Sequence, residues 1–187
     1  MNGLGPWTLL GTVATDAPLS VSDTDPRRCG LCTECLPACP TGAIVAPGVV
    51  DARRCLAALL QSRDDIPLEL RSAVGDRVYG GDDCLEACPP GARLLERSSL
   101  PEGRVDLGAL LALSDEEILA RYESFYLPGR KPRYLRRNAL VALGNTGTAR
   151  HVGLLAPYLG RADMMLRGHA AWALGRIGGR EAEAALL

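Results

Sequence analysis

The sequence has 187 residues, 47% of them hydrophobic, with a formal net charge of −1, which is enough apolar material for one or two packed domains and excludes disorder as the default. No apolar run approaches the roughly 18 to 20 residues that cross a bilayer, and residues 1–12 lack the basic start and cleavage pattern of a signal peptide, so the expectation is a cytoplasmic protein with no membrane partner. Seven cysteines, an odd number in a reducing compartment, are poor disulfide material and predict metal ligation.

Residues 1–28 open with Leu9, Leu10 and Val13 in a short apolar segment and run on through Asp16, Pro18, Ser20, Ser22, Asp23 and Pro26. They predict a strand or turn followed by loop, an N-terminal segment left from a preceding domain. Residues 29–92 hold the cysteines. The run Cys29-Gly-Leu-Cys32-Thr-Glu-Cys35-Leu-Pro-Ala-Cys39-Pro40 has the bacterial ferredoxin spacing, in which three thiolates converge on one cubane cluster and the fourth reaches another. A zinc ribbon competes for CxxC pairs, but three cysteines at intervals of three followed by Cys39-Pro40 disfavour it. Asp51 is placed to cap a helix over 52–61, putting Cys55 in its first turn. Pro67 suits the start of a second helix that stops near Gly75.

The segment Cys84-Leu-Glu-Ala-Cys88-Pro89 repeats the CxxxCP ending. Exchange between the two halves gives one 4Fe-4S cluster Cys29, Cys32, Cys35 and Cys88, and leaves Cys39, Cys55 and Cys84 for a second. That second site is one thiolate short. It is a 3Fe-4S cluster, a site completed by Asp82 or Asp83, a site open to water or an exogenous ligand, or a degenerate one. Carboxylate ligation would separate the two clusters in redox behaviour.

Residues 93–131 read as linker and helix: 89–106 are read as a linker, and Ser114 with Glu117 forms a capping-box pattern that predicts a helix over 115–123. Residues 132–187 carry a repeat. From Leu135 the chain reads Leu-Arg-Arg-Asn-Ala-Leu-Val-Ala-Leu-Gly-Asn-Thr-Gly and from Leu166 Leu-Arg-Gly-His-Ala-Ala-Trp-Ala-Leu-Gly-Arg-Ile-Gly, an offset of 31 residues. Self-similarity at that period signals stacked helix pairs similar to short HEAT repeats, the last of them incomplete. The predicted fold class is therefore α+β, mostly α: a ferredoxin-like dicluster domain followed by helical repeats.

Charge divides with the modules. Residues 1–120 carry 10 basic and 18 acidic side chains, residues 121–187 carry 11 and 4. Arg130, Lys131, Arg133, Arg136 and Arg137 concentrate beside the first repeat, as a phosphate-gripping edge would; a solvated helix face is the plainer alternative. His151, His169 and Trp172 read as packing or surface residues of the repeats. No Ser-His-Asp pattern, glycine-rich nucleotide loop or paired-carboxylate signature is present, so no catalytic residue is assigned.

The segments 29–44, 51–55 (Asp-Ala-Arg-Arg-Cys), 78–84 (Val-Tyr-Gly-Gly-Asp-Asp-Cys) and 132–145 together resemble the C-terminal half of the epoxyqueuosine reductase family. The resemblance implies an iron-sulfur electron relay to cobalamin, reduction of epoxyqueuosine in the tRNA anticodon region, an electron-donor protein, and repeats that grip the tRNA, for which the five clustered cations are the candidates. The family's pattern carries a cysteine where this chain has Gly81, and a Trp-Asn pair where it has Pro90-Gly91. The family's corrinoid-binding half has no counterpart in the 187 residues, so the expectation is a fragment, a split gene product or a degraded paralogue, with a partner chain supplying that half. A stand-alone electron carrier or scaffold whose repeats bind a protein is the rival reading.

Overall fold

A computed structural model of the chain describes residues 5–8, 10–21, 29–98 and 103–187. In chain order the elements are α1 (Cys35–Ala38), an antiparallel pair β1 (Ile44–Ala46) and β2 (Val49–Val50), then α2 (Leu56–Leu60), α3 (Leu68–Val74), α4 (Asp83–Glu86), α5 (Pro89–Glu96), α6 (Leu107–Ala112), α7 (Asp115–Arg121), α8 (Arg133–Thr146), α9 (Val152–Leu155), α10 (Met164–Ile177) and α11 (Arg180–Leu186). Single 3-10 turns at Pro128–Arg130, Ala149–His151 and Ala156–Gly160 link the later helices. Among the described residues no helix is long and apolar enough to cross a membrane.

The chain forms two compact units, Met1–Val50 with Asp82–Leu100, and Asp51–Gly81 with Pro101–Leu187. In packing, residues 51–81, which lie between the cysteine motifs in sequence, group with the repeats.

In the first unit α1 packs on β1 and α4, and α4 on α5. Ile44 pairs with Val50 and Ala46 with Val49, an irregular two-stranded ladder. Leu10 and Val13 are exposed and form no strand; Leu9, Ser22, Asp23 and Pro26 lie outside the described residues. The linker expected from residue 89 instead begins with α5, because Pro89 and Pro90 occupy the first helical turn, where their missing N–H groups cost nothing.

The second unit holds the core. α8 and α10 are each 14 residues long and begin 31 residues apart, as the repeat predicts. They approach so closely that a Cβ at Gly144 would overlap the Trp172 ring and stand 3.0 Å from Ala173 Cα. α8 is buried without interruption from Tyr134 to Gly144, because α2 and α3, α6 and α10 all pack on it. A helix enclosed in this way must find a partner for every polar side chain it carries. One cluster, including Leu135, Leu140, Leu155 and Leu174, joins the repeats to α6 and α7. A second gathers Leu56, Leu60, Ile66, Leu70 and Val74 around Val141, and Trp172 packs against both. α7 has the predicted capping box, Ser114 Oγ accepting from Glu117 N–H and Glu117 Oε2 from Ser114 N–H. α3 ends at Gly75 as expected.

α2 departs from expectation. Asp51 accepts from the backbone and the guanidinium of Arg53 and so closes a surface turn, and the helix starts four residues later with Cys55 as its N-cap rather than in its first turn.

Candidate iron-sulfur centre and basic edge

None of the seven cysteines is joined in a disulfide. Cys29 and Cys32 are exposed, and Cys35, Cys39, Cys84 and Cys88 are half-buried. The first motif descends in successive tight turns: Cys32 N–H donates to Cys29 C=O at 3.1 Å, Leu36 N–H to Thr33 C=O at 3.0 Å and Gly42 N–H to Cys39 C=O at 3.1 Å. Turns of this kind let residues three apart face one centre. Cys84 lies on α4, which packs on α1, and Cys88 is the N-cap of α5. The first unit therefore brings the two CxxxCP segments together, with Asp82 and Asp83 at the head of α4. Cys55 belongs to the second unit.

Ala43 N–H donates to Cys39 Sγ at 3.2 Å, and Thr41 Oγ1 lies 3.6 Å from the same sulfur. Burial pushes this thiol up, but hydrogen bonds from Thr41, Ala43 and Ile44 outweigh it and hold the group below its ordinary value, toward the thiolate that ligates metal.

Among the described residues of the first unit, Ala43 is the one buried hydrophobic side chain. A unit with so little apolar interior and six cysteines outside any disulfide fits a structure that folds around inorganic clusters. Among the described residues no three His, Cys, Asp or Glu side chains are grouped tightly enough for one metal ion; a cubane, whose thiolates bond separate irons, asks for a wider set.

The five cations beside the first repeat part company. Arg130 and Lys131 are exposed on the turn after Leu127, where Gly129 and Arg130 both have positive φ, 59° and 51°. Arg133 is partly exposed and donates to Asp163 at 2.8 Å. Arg136 is turned inward, its guanidinium on Asp115 and on the Leu113 carbonyl at 2.6 Å. Arg137 is fully buried. Its Nη2 donates to the Leu59 and Leu60 carbonyls at 3.0 and 3.1 Å, its Nη1 to those of Ser62 and Asp64, and its Nε to Asn138 Oδ1 at 3.0 Å. Burial lowers its pKa to about 10, which leaves it charged at neutral pH. Arg136 and Arg137 thus serve the packing of the second unit and present no guanidinium to solvent phosphate.

Three polar residues that the sequence reading did not single out as partners complete this network. Asn138 Nδ2 donates to Leu60 C=O and Val78 C=O at 2.9 and 2.8 Å. Asn145 Nδ2 donates to Arg71 C=O and Gly75 C=O. His169 Nε2 accepts from Ile66 N–H at 3.3 Å, and His169 Nδ1 lies 2.7 Å from Met165 C=O, so His169 is a packing residue as expected. Asn138 and His169 stand at the same position of the 31-residue repeat, a polar residue inside each apolar stripe, and that coincidence was the signal available.

Gly81 has φ +152°, and a Cβ there would stand 2.8 Å from Ala57 N and 3.0 Å from Leu56 Cβ. The start of α2 fills the space a side chain would need.

The chain matches the family model described as the 4Fe-4S double cluster binding domain over residues 28–91 and that of HEAT repeats over 127–187. The chain thus joins a segment that matches a 4Fe-4S double cluster binding domain to one that matches helical repeats. It is 38% identical over 178 residues to the epoxyqueuosine reductase of Vibrio cholerae, covering 91% of this chain and 48% of that protein, and 33% identical to that of Bacillus subtilis over 93% of this chain and 47% of that one. A solved epoxyqueuosine reductase from Bacillus subtilis superposes with a TM-score of 0.67 at 32% identity, over 88% of this chain and 45% of that chain. A crystal structure of epoxyqueuosine reductase with a tRNA-Tyr epoxyqueuosine-modified tRNA stem loop gives 0.68 at 33% identity, over 87% and 44%. The chain matches one half of epoxyqueuosine reductase, and spans about half the length of the curated relatives it matches.

Proposed function

We propose that this chain is the electron-relay and tRNA-docking half of an epoxyqueuosine reductase-type enzyme of the cytoplasm. The observation that carries the reading is the first unit's make-up: six cysteines outside any disulfide, on segments that pack together around almost no apolar interior. Cys29, Cys32, Cys35 and Cys88 would hold one 4Fe-4S cluster, and Cys39, Cys55 and Cys84 a second with a non-thiolate fourth position, for which Asp82 and Asp83 are the nearest carboxylates in sequence. When bound, the clusters supply one-electron transfer. Opening an epoxide to an alkene consumes two electrons and two protons and releases water, so two successive one-electron deliveries from a donor protein match the demand. The corrinoid would be held by protein other than these residues, in a partner chain or domain.

Docking of the anticodon region would rest on Arg130 and Lys131, with Arg133 beside them. A non-glycine residue with positive φ costs on the order of 1 kcal/mol, and here the strained turn projects two adjacent cations. The salt dependence of tRNA binding tests this: Arg130→Ala and Lys131→Ala are each expected to reduce the slope of log K against log salt by about one. An unchanged slope in both sinks the docking assignment. Anaerobic reconstitution tests the relay, with about eight irons expected for two cubanes, about seven for a cubane and a three-iron site, and about four for one cluster alone. A colourless, zinc-loaded product overturns it.

A further inference from the structure

Most of the hydrogen bonds that Arg137 donates go to one segment, residues 59–64. Its guanidinium reaches the last two carbonyls of α2, Leu59 and Leu60, and the two turn carbonyls of Ser62 and Asp64 that follow. Asn138 extends the grip, since its Oδ1 accepts from Arg137 at 2.9 Å while its amide donates to Leu60 and to Val78. Both residues are fully buried.

The segment so held carries Cys55 at its other end. α2 has five residues and no side-chain cap, far below the roughly 12 residues at which a helix becomes marginally stable alone. Its position is therefore set from outside, by Leu56, Leu59 and Leu60 in the core and by the cation at its C-terminal carbonyls, where the helix dipole favours positive charge. Val78 fixes the strand of chain leading to Gly81, whose bare backbone lies against the first turn of α2. One guanidinium-amide pair thus fixes α2 and the segment before Gly81 relative to each other. A hydrophobic side chain of similar volume often stabilises a core as well as a buried ion does, but it cannot fix the places of four carbonyl groups.

We propose that Arg137 and Asn138 are positioning residues for Cys55, one of the thiols assigned above to the second cluster: within the second unit, helix α8 sets where the start of α2, and with it the Cys55 thiolate, stands. This rests on the assignment of Cys55 as a ligand made above. The test is anaerobic reconstitution of the full chain carrying Arg137→Met, with iron counts and low-temperature EPR read separately for the two clusters. The expected result is intact first-cluster signal with occupancy of the second reduced about tenfold, the scale on which residues supporting metal ligands act, and partial recovery in Arg137→Lys. Leu174→Ala, which opens the same core away from α2, is expected to lower thermal stability while leaving the ratio of the clusters unchanged. The proposal is overturned if Arg137→Met keeps both clusters with unaltered spectra, or if Leu174→Ala loses the second cluster as readily. Should Arg137→Met fail to fold, Asn138→Ser, which keeps the guanidinium, decides by the same readout. Loss of the second cluster in Cys55→Ser but not in Arg137→Met sinks the positioning role alone, whereas a second cluster that survives Cys55→Ser removes the ligand assignment beneath it.

Discussion

Lowering the pH from 7 to 4.5 should destabilise the second unit through one residue, His169. Its ring is buried, takes a hydrogen bond from Ile66 N–H, and faces the guanidinium groups of Arg71 and Arg137 as well as Asp65. Burial is the main reason its pKa falls from 6.5 to about 4, with the Met165 carbonyl opposing and Arg71 assisting. Between those two values the unfolded chain binds a proton that the folded chain refuses, so acid favours unfolding. The stabilisation is whole above about pH 6.5 and is lost as pH falls toward 4; at about 1.4 kcal/mol per pH unit it amounts to about 2.5 kcal/mol by pH 4.5. His169→Gln keeps an acceptor for Ile66 N–H and cannot titrate. Urea unfolding of both proteins under anaerobic conditions, followed by tryptophan fluorescence, gives the difference between them at each pH and cancels the carboxylates and clusters they share. The expected difference shrinks in the wild type's disfavour by about 2.5 kcal/mol from pH 7 to 4.5. A difference that stays level across that range refutes a buried neutral imidazole.

Gly81→Cys should lower stability by about 1 to 3 kcal/mol, because its Cβ meets the backbone of Ala57 and its φ is one that side chains avoid; the iron content after reconstitution should not rise. Gly144→Ala drives a methyl into the Trp172 ring and should cost about 1 to 3 kcal/mol, read as a lower urea midpoint together with altered tryptophan fluorescence. Ser114→Ala removes the side-chain acceptor for Glu117 N–H from the capping box on α7, keeps the backbone N–H that Glu117 Oε2 accepts, and should cost about 1 kcal/mol at unchanged denaturant slope.

The repeat was the most legible part of the sequence, because apolar stripes recurring after 31 residues leave stacked helices few alternatives, and α8 with α10 realise them position for position. The capping box at Ser114 and the Pro67 to Gly75 helix were legible for the same reason: each is decided by chemistry within a few residues. Three features were not. The α5 helix hid behind Pro89, Pro90 and Gly91, which resemble breakers until their place in the first turn is known. Arg136 and Arg137 counted as surface charge, since nothing local reveals that α8 is enclosed by other helices; the carbonyls that bind Arg137 lie more than 70 residues away in sequence. The packing of residues 51–81 was hidden as well, because cysteine spacing says nothing of where Leu56, Leu60, Ile66 and Val74 find their apolar partners, which is around Val141.

The discontinuity of the second unit also orders events in time. Leu60 and the guanidinium that holds it are separated by 77 positions, so a ribosome adding about 5 to 20 residues per second leaves α2 without its anchor for about 4 to 15 s. During that interval the Cys39 motif is already made while the backbone around Cys55 has no fixed place. The second unit is also interrupted in sequence by residues 82–100 of the first, so no single cut in the gene separates the two units as independent blocks.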